Sequence, residues 1–312
     1  MNNSVPHIPV LLEAVLEGLA IQPAGRYVDG TFGRGGHSRA ILSRLGPRGA
    51  LLAMDRDPAA RDAARQLAAD PRFTFTRERF SHMVEAIQQH WPEGGVDGVL
   101  LDLGVSSPQL DESARGFSFQ KDGPLDMRMD PDAGTPVCEW LNRADQKAIA
   151  DTIYSLGEER HSRRIARAIV DARRSAPITR TAQLADLVRR AVPRSEPGRH
   201  PATRTFQALR ILANDELGEL KVWLETIPAV LRPGARLVVM SFHSLEDRMV
   251  KRAFQGRTDV AGSRLPRGLP VEPAVTEPPL RTVGKPVRPD PRECERNPRA
   301  RSAVLRVAER NP

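Results

Sequence analysis

The chain has almost no cysteine: Cys138 and Cys294 are its two, far apart among 312 residues. They form no CxxC or metal-ligand spacing, which excludes a disulfide scaffold and makes a reducing cytoplasm the expected setting. Apolar runs of the length that crosses a bilayer are missing too, as is the charged-then-apolar opening of a secretory signal. A cytoplasmic protein without membrane contact is therefore expected. Histidines and acids are scattered without ligand spacing, so no metal site is expected. The turn Gly33-x-Gly35-x-x-Ser38 supplies two of the three glycines of a dinucleotide fingerprint, which argues against a nicotinamide enzyme.

The chain is organised around Tyr27-Val28-Asp29-Gly30-Thr31-Phe32-Gly33-Arg34-Gly35-Gly36-His37. A short apolar run ends in an acid and then in glycines, the pattern of a strand, a tight turn and a helix start. Without Cβ atoms in the way, backbone N–H groups and the positive end of the helix approach a nucleotide-like ligand closely. A glycine-rich connection that binds nothing is the alternative. Asp55 closes the next apolar run, Ala50 to Met54, near the offset at which an acid meets a ribose; it either accepts from the two ribose hydroxyls or caps the helix near Pro58. Asp57 is the better capping candidate. Strand, helix and strand make a right-handed βαβ unit.

Further along, a helix is expected over His7 to Leu19, a strand over Phe73 to Thr76, a helix over Ser81 to His90 and a very apolar strand over Val96 to Leu103. Phe80 either contacts the ring of a bound nucleotide or packs in the core. The strand ending at Leu103 leads into Asp102-Leu103-Gly104-Val105-Ser106-Ser107-Pro108-Gln109, at the carboxyl end where open α/β sheets place ligands. An exocyclic amine on a nucleobase is a poor nucleophile because its lone pair is delocalised. Acceptors along a Ser-Ser-Pro turn would bind its N–H groups, localise the pair and aim it. A plain Ser-Pro turn is the other reading.

From about Ser113 to Arg199 the alternation of strand and helix stops, and Arg163 to Ala172 and Ala182 to Val192 carry helical periodicity. One long helix is expected from Thr203 to Leu231, a turn at Pro233-Gly234 and a strand from Arg236 to Ser241. Ser244 with Asp247 fits a capping box. His243 either assists proton removal, binds the edge of a target base, or is structural. Gly256 to Pro279 is expected to be a mobile connection, followed by two closing strands, Val283 to Val287 and Ala303 to Val307. Net charge is +8, and its distribution is uneven. From Gly157 to Arg210 there are 13 basic residues against 5 acidic, and from Arg281 to Arg310 there are 9 against 4. Two surfaces for a polyanion, or two solvated faces, would explain that.

Asp29 to His37, Asp102 to Gln109, Arg115 to Asp130, His200 to Arg210 (HPATRTFQALR), Ser241 to Arg248 and Asn297 to Arg301 together resemble one family over nearly the whole chain. It is the bacterial S-adenosylmethionine-dependent methyltransferase that N4-methylates a cytidine in the decoding region of 16S ribosomal RNA. The resemblance implies a Rossmann-like α/β methyltransferase sheet with an inserted all-helical domain. It implies a methyl donor, S-adenosylmethionine, on Gly35, Gly36, His37, Asp55, Phe80, Asp102 and Gln109. Asp102, Ser106, Ser107, Pro108 and His243 are the catalytic candidates, and 16S rRNA within the small ribosomal subunit is the expected partner. The tetrapeptide Ser106-Ser107-Pro108-Gln109 lacks the second proline and the aromatic of the commoner amino-methyltransferase motif, so base stacking falls to Phe117 or Phe119. The expected division is a core over 1–112 and 200–312, with a helical RNA-binding insertion over 113–199 whose Arg163, Arg164, Arg167, Arg173, Arg174, Arg189 and Arg190 follow phosphates. Methylation of an amine on DNA or protein, and a non-catalytic ribosome-assembly factor, are the competing readings. Oligomeric state is not legible.

Overall fold

The computed structural model describes residues 9–192, 200–256 and 278–312. They fold as two compact units, one up to Gly104 and again from Glu219, the other from Val105 to Gly218.

The first unit is built on seven strands: β1 (Arg26–Asp29), β2 (Ala50–Met54), β3 (Phe73–Thr76), β4 (Val96–Asp102), β5 (Leu231–Ser241), β6 (Leu280–Val287) and β7 (Val304–Arg310). Their order in the sheet is β3-β2-β1-β4-β5-β7-β6. The first five are mutually parallel, and β7 runs antiparallel to both β5 and β6. This is the expected α/β class, with the late antiparallel strand. Alternation along each parallel strand explains why both faces are covered. Tyr27, Leu51, Ala53, Leu100, Val238 and Met240 enter one core with the helices Leu12–Leu19, Gly36–Arg44 and Ala60–Arg65. Val28, Leu52, Met54, Leu101 and Val239 enter the other, with Met83, Ile87, Leu220, Trp223, Val250 and Phe254. Strands buried on both faces must read as continuous apolar runs, as these do. The chain order reverses between β1 and β4, and ligands of such sheets bind at the carboxyl ends of the strands flanking that point.

Three local expectations change. The long helix over Thr203 to Leu231 is two, Thr203–Asn214 and Glu216–Thr226, because Asp215 adopts a left-handed conformation (φ 49°) between them. Pro233-Gly234 does not precede β5 but lies within it. The register to β4 jumps there from Val96↔Leu231 to Gly98↔Arg236, an irregularity that absorbs the proline and the positive φ of Gly234. The last helix before the closing strands, Ser244–Phe254, is capped by His243 rather than Ser244: His243 Nδ1 accepts from Glu246 N at 3.4 Å, while Glu246 Oε2 accepts from Phe242 N at 2.9 Å. Asp247 is occupied elsewhere, paired through both oxygens with Arg306 at 2.8 and 3.0 Å. His7 and most of Gly256 to Pro279 lie outside the described residues.

The second unit contains helices Ser107–Asp111, Val137–Arg143, Gln146–Gly157, Ser162–Arg173, Thr181–Ala191 and Thr203–Asn214, with no strand longer than an isolated bridge among the described residues. Each long helix presents one apolar stripe to a shared core that includes Ile149, Ile153, Ile165, Ile169, Leu184, Val188, Phe206 and Leu209. Gly157 lets two helices touch, since a Cβ there would sit 2.5 Å from Arg204 O. The irregular segment before the helices is tied internally. Buried Asn214 accepts from Met129 N (2.7 Å) and donates to Met127 O (2.7 Å), Arg128 pairs with both Asp126 oxygens, and Arg115 donates to Arg128 O and Met129 O.

Candidate active site

At the carboxyl end of β1, Asp29 is 1% exposed. Its Oδ1 accepts from Thr31 N (3.2 Å) and its Oδ2 from the Ser38 hydroxyl (2.7 Å), so the acid spans the glycine turn and ties strand to helix. Burial pushes the Asp29 carboxyl above the usual carboxylate range, against the Ser38 hydrogen bond, which lowers it. Gly30 N donates to Leu100 O (3.0 Å) and Phe32 N to Met54 O (2.9 Å), so the turn continues the pairing of β1 with both neighbours. At Gly35, φ is 73° and a Cβ would sit 2.6 Å from the Phe32 ring; only glycine fits. The helix Gly36–Arg44 starts next, and by helix geometry its first N–H groups lack intrahelical acceptors.

Asp55, at the end of β2, accepts from Gly33 N through Oδ2 (2.7 Å) and from Asp57 N through Oδ1 (2.8 Å). Desolvation pushes its carboxyl up to about 6 against those two hydrogen bonds, with the charges of Asp57 and Asp29 adding to the rise. A carboxylate offers about four lone-pair sites, so one on each oxygen remains for a ligand hydroxyl. Neither acid caps the helix Ala60–Arg65, whose N-cap is Ala59 without a side-chain bond; Asp57 Oδ1 accepts from Ala59 N (2.9 Å) in the turn that leads into it. Phe80 opens a short 3-10 turn after β3, half-buried and packed on the core beneath. The turn is clamped by buried Glu219, which accepts from Arg79 Nη1 (2.8 Å) and from the Ser81 hydroxyl.

Asp102 closes β4. Its backbone N–H donates to Thr31 Oγ1 (2.7 Å), which fastens this strand end to the glycine turn. His37 lies 3.6 Å from it, Nε2 to Asp102 Oδ2, beyond hydrogen-bond reach. His37 is 6% exposed, and among the described residues neither ring nitrogen nor Asp102 Oδ1 has a hydrogen-bond partner. A buried polar atom left unpaired costs roughly 1–3 kcal/mol, and three together at a strand edge are what a site shows when its ligand completes the bonding. The donor set suits S-adenosylmethionine: a carboxylate acceptor for its ribose, amide donors for its carboxylate and an acid for its ammonium. Gly35, Gly36, His37, Asp55, Phe80 and Asp102 thus all border the same end of one sheet.

In the second unit, Ser106, Ser107 and Pro108 are half-buried at the start of Ser107–Asp111. Gln109 is 4% exposed and its Oε1 accepts from Ser106 N (2.9 Å), so part of its bonding capacity serves the turn itself. Phe117 is buried under the Arg115 guanidinium, which lies 5.9 Å from its ring centroid, and it has no free face for a base. Phe119 is half-buried. In the first unit, His243 uses Nδ1 in the helix cap while Nε2 faces Glu246 Oε1 at 3.2 Å.

The sequence carried no sign of Ser38, Thr31 or Glu219. Each acts on a partner whose spacing follows no local period, so only the folded chain brings them into play.

The chain matches the MraW methylase family over residues 4–311. The ribosomal RNA small subunit methyltransferase H of Thioalkalivibrio sulfidiphilus is 56% identical over 306 residues, 97% of either chain. The protein of that name from Shewanella denitrificans is 50% identical over 312 residues, 99% of either chain. Among solved structures, an rRNA methylase from Streptococcus thermophilus has 10% identity and a TM-score of 0.41, covering 96% of this chain and 94% of its own.

Proposed function

This chain belongs to the MraW methylase family, and we propose that the residues above serve one reaction on one class of RNA. The activity is S-adenosylmethionine-dependent methylation of cytidine N4 in 16S ribosomal RNA. The bound donor supplies an electrophilic methyl whose leaving group is a neutral thioether. The protein's own task is therefore positioning and desolvation more than acid-base chemistry.

Asp55 accepts from the two ribose hydroxyls through its remaining lone pairs. The Gly35 N–H is used within the turn, donating to Phe32 O (2.7 Å), so the N–H groups at Gly36 and His37 receive the carboxylate of the donor, Gly35 supplies the close backbone approach, and Phe80 lies along its base. Asp102 takes a cationic or N–H partner through the oxygen that is now unpaired. Ser106, Ser107 and Pro108 are assigned to the target amine from their place in the sequence, four to six residues past Asp102, and Gln109 to the donor on the same ground. Holding both N4 hydrogens draws the lone pair out of the ring and toward the methyl. His243 anchors the end of β5 through its cap, which uses Nδ1, while Nε2 faces Glu246 Oε1 at 3.2 Å.

The second unit is the RNA-holding part in this reading. Arg160, Arg163, Arg164, Arg167 and Arg190 are exposed and have neither an ion pair nor a side-chain hydrogen bond among the described residues, whereas Arg173, Arg174, Arg180 and Arg189 are tied to protein acceptors. The untied group is free to neutralise phosphates. The substrate is the assembled small subunit, met in the cytoplasm, and the cytidine leaves its stack to react.

The observation that carries the proposal is the buried trio of His37 Nδ1, His37 Nε2 and Asp102 Oδ1 beside the glycine turn, without hydrogen-bond partners among the described residues. The test is transfer of labelled methyl to small subunits lacking the modification, to naked 16S RNA and to DNA, followed by nucleoside mass spectrometry. N4-methylcytidine is expected from the subunits. With Asp55→Ala at limiting donor the yield should fall on the order of 10- to 100-fold, the loss of a charge-assisted hydrogen bond pair. Donor and subunit binding without label in RNA would overturn the reading in favour of an assembly factor, and label in DNA would replace its substrate.

A further inference from the structure

Phe119 is the middle member of a ring ladder. The His200 imidazole stacks on it with centroids 4.5 Å apart and planes 19° from parallel, and Phe206 meets it edge-on at 5.2 Å and 79°. Burial falls along the ladder: Phe206 is 4% exposed, Phe119 half-buried and His200 exposed. Such a gradient leaves the last ring with a face toward solvent and a rigid support behind it.

The ladder is held from several sides. His200 Nδ1 accepts from Ala202 N (3.2 Å), which fixes the ring plane and makes Nε2 the donor of the neutral ring. Gln120 N donates to Ser118 Oγ (3.2 Å), pinning the turn that carries Phe119. The helix bearing Phe206 is fastened at its start by Arg204 Nη1 to Glu158 O (2.8 Å) and Gln207 Nε2 to Leu156 O (3.3 Å). An exposed aromatic stack this constrained has already lost the conformational freedom that binding would otherwise cost. It also stands in a unit whose exposed Arg160, Arg163, Arg164, Arg167 and Arg190 lack protein partners among the described residues, so the ligand that suits its surroundings is an anion with flat, unpaired rings.

We propose that His200, backed by Phe119, is a stacking platform for an unpaired base of the ribosomal RNA. The inference rests on the RNA reading of the preceding subsection. It adds a contact that none of the methyl-donor residues supplies: every base has a π-face, so the platform holds a splayed-out nucleotide in place without selecting its identity. His200 is here a binding residue, distinct from the groups assigned to the reacting atoms.

The experiment compares wild type, His200→Ala, His200→Tyr and Phe119→Leu in two assays: steady-state methyl transfer to small subunits lacking the modification, and the anisotropy of a labelled single-stranded RNA. Loss of one base stack is expected to raise the KM for subunits, and the Kd for the RNA, roughly tenfold in His200→Ala. Its kcat, donor affinity and melting temperature should stay near wild type. His200→Tyr restores a ring and should return both constants to within about twofold of wild type, a rescue that loss of packing alone would not predict; Phe119→Leu should fall between. Unchanged KM and Kd in His200→Ala overturn the platform, and so does a His200→Tyr variant as weak as His200→Ala, which would make the ring nitrogen the contact. If wild type yields no methylcytidine while its RNA affinity still depends on the His200 ring, the function assigned above fails and the platform stands.

Discussion

The two units treat buried polar atoms in opposite ways. In the sheet unit, among the described residues, both nitrogens of His37, Arg56 Nε, Asp102 Oδ1, Ser241 Oγ and His243 Nε2 are buried without hydrogen-bond partners, all at or beside carboxyl ends of strands. In the helical unit Thr205 Oγ1 alone is left so. There even an irregular stretch is satisfied from within, by Asn214, Arg115 and the Arg128–Asp126 pair, and the unpaired charge lies outside on the arginines. A small ligand with charged ends is met by groups held dry until it arrives. A polyanion with its own hydration is met by solvated cations, which neutralise it without prior desolvation. On the proposed function, the difference in burial is a difference in the kind of partner.

The comparison breaks most visibly if the internal satisfaction of the helical unit is removed. Arg210 and Glu216 form a two-pronged pair, 2.7 Å at each contact, with side chains 15% and 8% exposed. Arg210→Met leaves a buried carboxylate unpaired and should cost about 3–5 kcal/mol. Adding Glu216→Leu should recover much of that, because removing both charges is far cheaper than removing one. Thermal melts, with amide hydrogen exchange over residues 137–214, are the measurement. A loss under about 1 kcal/mol would mean that the pair is solvated like a surface ion pair.

A smaller effect is expected from the sheet unit, where strain at the ligand edge should appear as pH dependence. The Asp55 carboxyl is raised from 3.8 to about 6 in the folded chain. Its contribution to stability is therefore full below the unfolded value and is lost as pH rises through about 6. At 1.36 kcal/mol per unit the swing is roughly 3 kcal/mol. Without donor, Asp55→Ala should cost more at pH 4 than at pH 8 by up to about that amount. Donor affinity should run the other way and weaken below about pH 6, as the acceptor for the ribose hydroxyls becomes protonated. Equal costs at both pH values would refute the assignment.

The smallest effects separate tied from untied arginines. Replacing Arg163, Arg164 and Arg167 together by Gln should lower the slope of log affinity for RNA against log salt by about 2, near 0.7 for each lost phosphate contact on single strands. Arg174→Gln with Arg189→Gln, which breaks the pairs to Asp171 and Asp186, should leave the slope unchanged. Equal slopes for both sets would erase the distinction between them.

Much of the sheet was legible because its signals are local. The apolar runs ending at Asp29, Met54 and Asp102 are strands, and the left-handed φ of Gly35 is what a glycine in that turn announces. Asp55 is read from its distance along the chain to the turn, a spacing set by the length of one βαβ unit. Legibility failed where a side chain competes with the pattern. Asp215 interrupts an unbroken helical period by adopting φ 49°, the sheet absorbs Pro233-Gly234 as an irregularity, and the helix after β5 begins one residue away from its Ser-x-x-Asp signature because Asp247 is held by Arg306. Of the two phenylalanines open to stacking in the sequence, burial removes Phe117, and His200 claims one face of Phe119.

By itself the sequence determined the α/β order, the glycine turn, the acids that close β1, β2 and β4, and the confinement of positive charge to two segments. Those are properties of periodicity and composition, and a linear chain displays them. The tertiary structure alone decided that Thr31 fastens Asp102 to the turn, that Glu219 clamps the Phe80 turn, that His200 lies on Phe119 and which arginines remain untied. Each of these joins groups remote in sequence or depends on the accessibility of a side chain, and both follow from how the helices and strands pack.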